Sequence, residues 1–380
     1  MAPTTRHSTR QATEKVNEAA KTTGSKKAAP AKRKGSTDQG QRKKQETKDE
    51  PKAQQKAENG EEAPKPANGH RGNGDVTEPK SEKDGANGDT EGATDVKSRE
   101  QAEPSNILEK GIIYFFVRAR VGVEEPESMD DVARSFIVLR PLPEGAALKE
   151  GSLKDDDNCR LLAMPKKSLP KSNRDRFMGF VEKAGADVKT LRDSFLTSEE
   201  YETKTKGTRE KPAAIPIAEG VYAFIRTSNS SHLAYLLTKP TKFSQVHEDF
   251  GLKNRGSFVV SSKNPKYPGP PSSRLPQGPE YPEDIQMSFQ DLRWVPLEPK
   301  FIEYPNAQIL IIGERQGEFG SAVEPAKEDE KTDKEAPKEE IEQLEHENEV
   351  RADQLGGDHA IFNDLSLNAE KYPKVFTTWV

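Results

Sequence analysis

The distribution of large apolar residues constrains the fold of this chain more than any other feature. No Leu, Ile, Phe, Tyr, Trp or Cys occurs before Ile107 in the 380-residue sequence. A segment without these residues has little apolar surface to bury, so it cannot offset an ordering cost of about 1 to 2 kcal/mol per residue. The sequence therefore predicts a disordered segment over residues 1–104.

A second gap in apolar residues divides the rest of the chain. From Gly320 to Glu340 the sequence is dominated by Glu, Lys, Asp, Pro and Ala, and Val323 is its only large aliphatic residue. The block between the two gaps is long enough to bury one core, so we expect one folded domain over residues 105–319. After it, we expect a charged linker with a solvated helix over 320–357 and a C-terminal docking segment over 358–380.

Strand patterns in the predicted domain favour an antiparallel sheet. Five runs are rich in β-branched and aromatic residues: 111–121, 135–141, 159–164, 257–262 and 308–314. Two further runs, 220–227 and 232–240, are separated by four short polar residues and predict a hairpin. Because short turns join several neighbouring strands, the sheet is expected to be largely antiparallel.

Helical patterns complete the expected fold. A capping pattern at Ser172 and Asp175 precedes four apolar residues that share one helical face: Phe177, Phe180, Val181 and Ala184. Shorter helical patterns begin near residues 188, 241 and 282. The sequence therefore predicts an α+β fold: a single domain with a largely antiparallel six- to seven-stranded sheet and about four helices, flanked by disordered charged tails.

The N-terminal segment is basic in its first half and acidic in its second. Residues 1–50 carry 13 Lys and Arg against 6 Asp and Glu, whereas residues 51–104 carry 8 against 12. The cations cluster at Lys26 and Lys27, at Lys32, Arg33 and Lys34, and at Arg42, Lys43 and Lys44. Such clusters are typical of a nuclear import signal or a nonspecific contact with nucleic acid, and they also occur in tails that only solubilise a protein.

Motifs for nucleophilic, metal or nucleotide chemistry do not occur in the predicted domain. Cys159 is the only cysteine of the chain, which excludes an intramolecular disulfide and a multi-thiolate metal site. The domain contains two histidines, His232 and His247, and neither of the common glycine-rich phosphate motifs. We therefore expect no cofactor, no metal and no catalytic residue. The lack of these motifs favours a protein that is not an enzyme, and an enzyme stays the alternative.

One loop has the composition of an anion-binding site. Its sequence, YETKTKGTR, brings hydroxyl groups and cations together at Tyr201, Thr203, Lys204, Lys206 and Arg209. With His232 as a further polar group, this loop is a candidate for binding phosphate or a nucleic-acid backbone. The alternative interpretation is a solvated surface loop and a structural histidine.

Seven segments of the chain resemble one family of uncharacterised fungal proteins. They are GIIYFFVRARV, DVARSFIVLRP, YETKTKGTR, AEGVYAF, HLAYLLT, GSFVVSSKNP and YPNAQILIIGE, and IFNDLSLNAEKYP near the C-terminus extends the resemblance. Members are often labelled "BTB domain transcription factor", and the resemblance implies a nuclear, gene-regulatory role. It transfers no catalytic or binding residue to this chain.

These features favour a non-enzymatic nuclear interaction protein associated with transcription or chromatin. Protein partners are expected for the domain and the C-terminal segment, and nucleic acid is a candidate partner of the basic tail. No apolar stretch approaches 18 residues, so no membrane partner is expected. The alternative location is the cytoplasm. The alternative function is a domain that binds a small molecule or phosphate through the Tyr201–Arg209 loop and that could be enzymatic. The sequence leaves the oligomeric state open.

Overall fold

The structure is a computed structural model that describes residues 93–95, 97–203, 207–269, 275–314, 317–332, 334–367 and 375–379. Most of the predicted disordered tail therefore lies outside the described residues. The first elements of the described part of the chain are β1, Ala93–Asp95, and α1, Lys97–Ala102, and both come before the predicted domain boundary at residue 105. Arg99 of α1 is buried, so this part of the predicted tail belongs to the folded unit.

Eight strands form one closed antiparallel β-barrel. They are β2 Ile107–Ala119, β3 Val132–Pro141, β5 Cys159–Met164, β6 Arg176–Ala186, β9 Ala214–Arg226, β10 Ser231–Lys239, β11 Arg255–Lys263 and β13 Gln308–Gly313. Their order around the barrel is β10-β9-β2-β3-β5-β6-β13-β11, and the pairing of β11 with β10 closes it. Each neighbouring pair is antiparallel, as the sequence predicts.

Shorter elements accompany the barrel. The remaining strands are β4 Ala146–Leu148, which pairs with β1, β7 Glu199–Thr203, which pairs with β8 Gly207–Lys211, and β12 Trp294–Pro296, which pairs with β11. The further α-helices are α2 Val188–Leu191, α3 Gln245–Phe250, α4 Glu283–Ser288, α5 Pro337–Gln354 and α6 Ala360–Asp364. The fold is a barrel with few helices, so the predicted α+β class is wrong.

The predicted helix over residues 177–184 is strand β6 in the structure. Phe177 and Val181 are four residues apart, a spacing that puts two side chains on one face of a strand as well as of a helix. Both belong to the barrel interior, and β6 pairs with β5 on one side and with β13 on the other. These two ladders satisfy the backbone groups of β6, so pairing with distant strands overrides the local helical pattern.

Side chains from every barrel strand fill the barrel interior. These side chains form one interior cluster, to which each strand contributes at least one almost completely buried residue: Phe115, Ile137, Leu162, Val181, Phe224, Leu233, Phe258 and Ile311. The ring of Phe115 lies 5.6 Å from the ring of Tyr235 and 6.4 Å from the ring of Phe250, measured between centroids. A barrel of eight strands is narrow enough for side chains to fill completely.

Connecting segments close both ends of the barrel. Helix α3 joins the end of β10 to the start of β11 and contributes Val246 and Phe250 to the interior cluster. Residues 264–307 join the end of β11 to the start of β13 at the opposite end. There Phe289 and Phe301 pack with ring centroids 4.5 Å apart, and both are buried in the same cluster.

The C-terminal part of the chain packs on the outside of the barrel. Ile341 and Leu344 of α5 are buried with Ile361 and Phe362 of α6 against outward side chains of the barrel wall. The sequence predicts a solvated helix over residues 337–355. The helix is present, but one of its faces is buried. The outward side chains of the neighbouring strands are apolar, and packing against α5 removes them from water.

Replacing Phe115 with Ala tests the packed interior. The substitution removes a ring that contacts Tyr235 and Phe250, and we expect it to lower the free energy of unfolding by about 3 to 5 kcal/mol. Urea denaturation of the full chain measures the change. The control is Met287→Ala, because Met287 is 64% exposed and its loss should change stability by no more than about 0.5 kcal/mol. Similar effects of the two substitutions would contradict an interior filled around Phe115.

Candidate interaction surface

The residues predicted to contact import factors or nucleic acid lie outside the described part of the chain. They are Lys26, Lys27, Lys32, Arg33, Lys34, Arg42, Lys43 and Lys44. Their role therefore stays a prediction from the sequence.

The predicted anion-binding loop is the β7–β8 hairpin. Tyr201 and Arg209 are cross-strand partners, and Thr203 pairs with Gly207. Tyr201 is 40% exposed, and the other described side chains of the hairpin are exposed or partly exposed. The described part of the hairpin is therefore exposed to solvent, and Lys204 and Lys206 lie outside the described residues.

The structure does not bring His232 and this hairpin together. The hairpin leads directly into the start of β9 at Ala214, whereas His232 pairs with Ile225 near the other end of that strand. Eleven residues of strand span roughly 36 Å at about 3.3 Å per residue. The two parts of the predicted site therefore lie at opposite ends of the barrel.

His232 belongs instead to a polar row on the outer face of the wall. Its Nδ1 lies 3.1 Å from Glu314 Oε2, and its Nε2 lies 3.3 Å from Thr227 Oγ1. Ser257 also donates a hydrogen bond to Glu314. Burial alone would raise the pKa of Glu314, but the hydrogen bonds from His232 and Ser257 hold that pKa below its ordinary value. Because the Thr227 hydroxyl donates to the Ser230 carbonyl, this row is best explained as a structural support of the hairpin turn.

A second polar cluster lies on the inner side of the wall. Arg160 Nη1 is 2.6 Å from Glu109 Oε1, and the Tyr222 hydroxyl donates to the same oxygen at 2.6 Å. Burial, together with the charge of Glu109, raises the pKa of Tyr222 well above its ordinary value. The three groups satisfy one another and link β2, β5 and β9. The cluster is therefore part of the packed interior.

A third cluster holds the C-terminal helices to the barrel. Arg351 of α5 lies 3.0 Å from Glu219 of β9 and 2.5 Å from Asp364 of α6, and all three side chains are 0% exposed. Asn348 accepts hydrogen bonds from Arg351 and donates one to Thr238 Oγ1 at 3.0 Å. Loss of one partner would leave a buried charge uncompensated, at a cost of about 3 to 5 kcal/mol.

Glu219 and Asp364 share one buried guanidinium, and this arrangement changes the acidity of Glu219. Burial raises the pKa of Glu219 to about 7, although Arg351 opposes the shift; the charge of Asp364 raises it further. The positive charge of Lys239 lowers the pKa of Glu219. The Tyr114 hydroxyl lies 3.4 Å from Asp364 Oδ2. Glu219 therefore titrates at about pH 7, so both its charged and its neutral form are present there.

The sequence does not single out Arg351, Glu219 or Asp364 of this third cluster. One signal was available, because Asn348 and Arg351 continue the helical spacing of Ile341 and Leu344. Polar residues on the apolar face of a helix indicate buried polar partners. The partner on the barrel, Glu219, gave no local signal.

The opposite side of the barrel wall is more open. Strand register aligns its outward residues in three rows: His232, Val259, Ile312 and Arg176; Pro296, Ser261, Leu310 and Met178; and Trp294, Lys263, Gln308 and Phe180. We call Val259, Ser261, Leu310, Ile312 and Met178 the open face. All five are partly exposed, whereas Ile112 and Tyr114 on the covered side are 0% exposed.

Comparisons with known proteins leave the function to be argued from this geometry. No protein-family model, curated protein or solved structure matches the chain. In the described ranges, none of the helices is long and apolar enough to cross a membrane. The same part of the chain contains no group of three or more His, Cys, Asp and Glu side chains that is arranged to hold a metal ion.

Replacing Glu219 with Gln tests whether burial raises the pKa of Glu219. Because the pKa of Glu219 is raised in the folded state, the folded protein retains its proton to higher pH than the unfolded chain does. The wild-type free energy of unfolding should therefore fall as the pH rises from the ordinary Glu range toward about 7, and level off above it. The variant should lack this part of the pH dependence.

Urea denaturation of the full chain between about pH 5 and about pH 8 measures this difference. The matched control is Glu342→Gln, since Glu342 is 40% exposed and pairs with Arg255 at the surface. The control should keep the wild-type dependence on pH. Identical pH profiles for the wild type and Glu219→Gln would show that Glu219 is not perturbed.

Proposed function

We propose that this chain is a non-enzymatic nuclear interaction protein, associated with transcription or chromatin. In this proposal the barrel binds a partner protein, and the basic N-terminal segment contacts import factors or nucleic acid. The observation that carries the proposal is the difference between the two sides of the barrel wall. One side is buried under the C-terminal helices, and the other presents the partly exposed aliphatic residues of the open face.

The packing of the barrel supports a role for its outer surface. Side chains from all eight strands fill the interior, and connecting segments close both ends. The buried charges at Arg160 and at Arg351 are engaged with carboxylates that fix strands and helices in place. Contact with another molecule is therefore expected on the wall, where an apolar centre with a polar rim is typical of protein interfaces.

The composition of the N-terminal segment supports the nuclear part of the proposal. Eight cations fall in three clusters between Lys26 and Lys44, and three Ala residues and one Pro separate the first two clusters. Clustered cations match the acidic surfaces of import factors and the phosphates of nucleic acid. The acidic second half of the segment separates these cations from the barrel.

Neutralising the three basic clusters tests nuclear import. We expect substitution of Lys26, Lys27, Lys32, Arg33, Lys34, Arg42, Lys43 and Lys44 by Gln in a full-length fluorescent fusion to move the protein from the nucleus to the cytoplasm. Fluorescence microscopy measures the nuclear-to-cytoplasmic ratio. The control replaces five dispersed lysines of the acidic half by Gln: Lys52, Lys56, Lys65, Lys80 and Lys83. A wild-type ratio for the cluster variant would contradict the import role.

The same two variants test contact with nucleic acid. Binding of the full chain to a labelled DNA duplex, measured by fluorescence anisotropy, should weaken as the salt concentration rises, because bound cations are released from the phosphates. The cluster variant should bind more weakly and with a smaller dependence on salt than the control. Equal salt slopes for the two variants would assign these cations to import alone.

A further inference from the structure

The buried cluster around Arg351 holds two carboxylates against one guanidinium. Arg351 lies 3.0 Å from Glu219 on β9 and 2.5 Å from Asp364 on α6, and all three side chains are 0% exposed. One oxygen of each carboxylate, Glu219 Oε2 and Asp364 Oδ1, has no hydrogen-bond partner in the part of the chain that the structure describes. Each buried carboxylate disfavours the charge of the other, so one of them is expected to bind a proton.

Two further cations lie near the cluster, and each is engaged with other groups. Lys239 of β10 acts on Glu219 through its positive charge, but its ammonium pairs with Asp353 at 2.6 Å. Arg140 of β3 donates to two backbone carbonyl oxygens between β4 and β5, at 2.9 and 2.8 Å. Arg351 is therefore the cation that both buried carboxylates contact.

Glu219 also has two uncharged neighbours. Tyr114 of β2 is opposite Glu219 in the strand register, and burial raises the pKa of Tyr114 well above its ordinary value, so its hydroxyl stays protonated. Burial also raises the pKa of Glu219 to about 7, and the charge of Asp364 acts in the same direction. Arg351 and a hydrogen bond with Asn348 oppose this shift. The charge balance and the burial therefore agree that Glu219 binds the proton.

The cluster holds one particular part of the C-terminal region on the barrel. The pairing of Asp364 with Arg351 ties α6 to the second half of α5, and Arg351 ties both to β9. The first half of α5 is held by other ion pairs, in which Glu340 contacts Arg99 at 2.8 Å and Lys110 at 2.7 Å. A change of charge at the cluster therefore acts on α6 and the second half of α5.

We propose that this cluster is a proton-operated latch for the C-terminal helices. While Glu219 carries a proton, Arg351 and Asp364 form a balanced ion pair, and α6 and residues 348–354 of α5 stay packed on the barrel. When the proton passes to water, a second buried carboxylate becomes charged, and these helices open so that Glu219 is hydrated. Opening exposes Ile361 and Phe362 together with the wall that they cover. This inference goes beyond the proposed function and does not depend on it.

Amide hydrogen exchange of the full chain at about pH 6 and about pH 8, read by mass spectrometry, measures this opening. Protection factors are corrected for the faster chemical exchange at higher pH. The pKa of Glu219 is about 7 in the closed state and returns to its ordinary value of 4.5 in water. The equilibrium constant for opening should therefore rise about tenfold between the two pH values, and the protection of residues 348–354 and of α6 should fall by that factor. These amides should be less protected than those of β2 and β5 at both pH values.

Two variants assign the effect to the cluster. Glu219→Gln has the shape of the protonated side chain and cannot ionise, so its protection should be the same at both pH values. Asp364→Asn removes the second carboxylate, so the pH-dependent loss of protection should be smaller than in the wild type. The matched control is Glu342→Gln, because Glu342 is 40% exposed and pairs with Arg255 in the first half of α5. The control should keep the tenfold loss.

Three outcomes would overturn the latch. Equal protection of the wild-type helices at the two pH values would show that no proton controls their opening. Equal protection of α6 and the barrel strands would show that the helices leave only when the whole chain unfolds. A tenfold loss that persists in Glu219→Gln would place the proton on another group. The first two outcomes need only the wild-type chain, so they hold even if a variant fails to fold.

Discussion

The pairing of β10 with β11 is the interaction on which the rest of the structure depends. The two strands are in register from Ser231 opposite Val260 to Leu236 opposite Arg255, and this ladder converts an open sheet into a closed barrel. Closure gives the sheet one inner surface, which side chains from all eight strands fill. The C-terminal helices therefore pack on the outer surface of the wall.

The outer surface is divided into a covered side and an open side. On the covered side, apolar residues of α5 and α6 pack on the wall, and Arg351 joins Glu219 to Asp364 beneath them. A buried ion cluster is a weak source of net stability, because each charge loses its hydration. It does restrict position, since Arg351 must lie close to both carboxylates for its buried charge to be compensated. The open side presents the partly exposed residues of the open face.

Much of the fold could be predicted from local patterns, and the errors have a common cause. The antiparallel β9–β10 hairpin and the strands at β2, β3, β5, β11 and β13 follow from their composition and turns. The helix predicted at β6 is wrong because the spacing of Phe177 and Val181 fits both a helix and a strand. Pairing with β5 and β13 makes this segment a strand. The sequence predicts one anion-binding site from Tyr201, Arg209 and His232. In the structure, the β7–β8 hairpin lies at the start of β9 and His232 lies near the end of β9, so the site is not formed. The open face could not be predicted, because its residues come from three strands that are far apart in the sequence.

The sequence by itself determined where the apolar block lies, which segments extend as strands, and where the cations cluster before the barrel. These properties depend on neighbouring residues, so they can be read from local composition and periodicity. Only the tertiary structure decided that the sheet closes, that β6 is a strand, and that one face of α5 is buried. These outcomes depend on residues far apart in the chain: Arg351 meets Glu219 across 132 positions, and no local pattern specifies which distant surface will satisfy a buried charge or cover an apolar face.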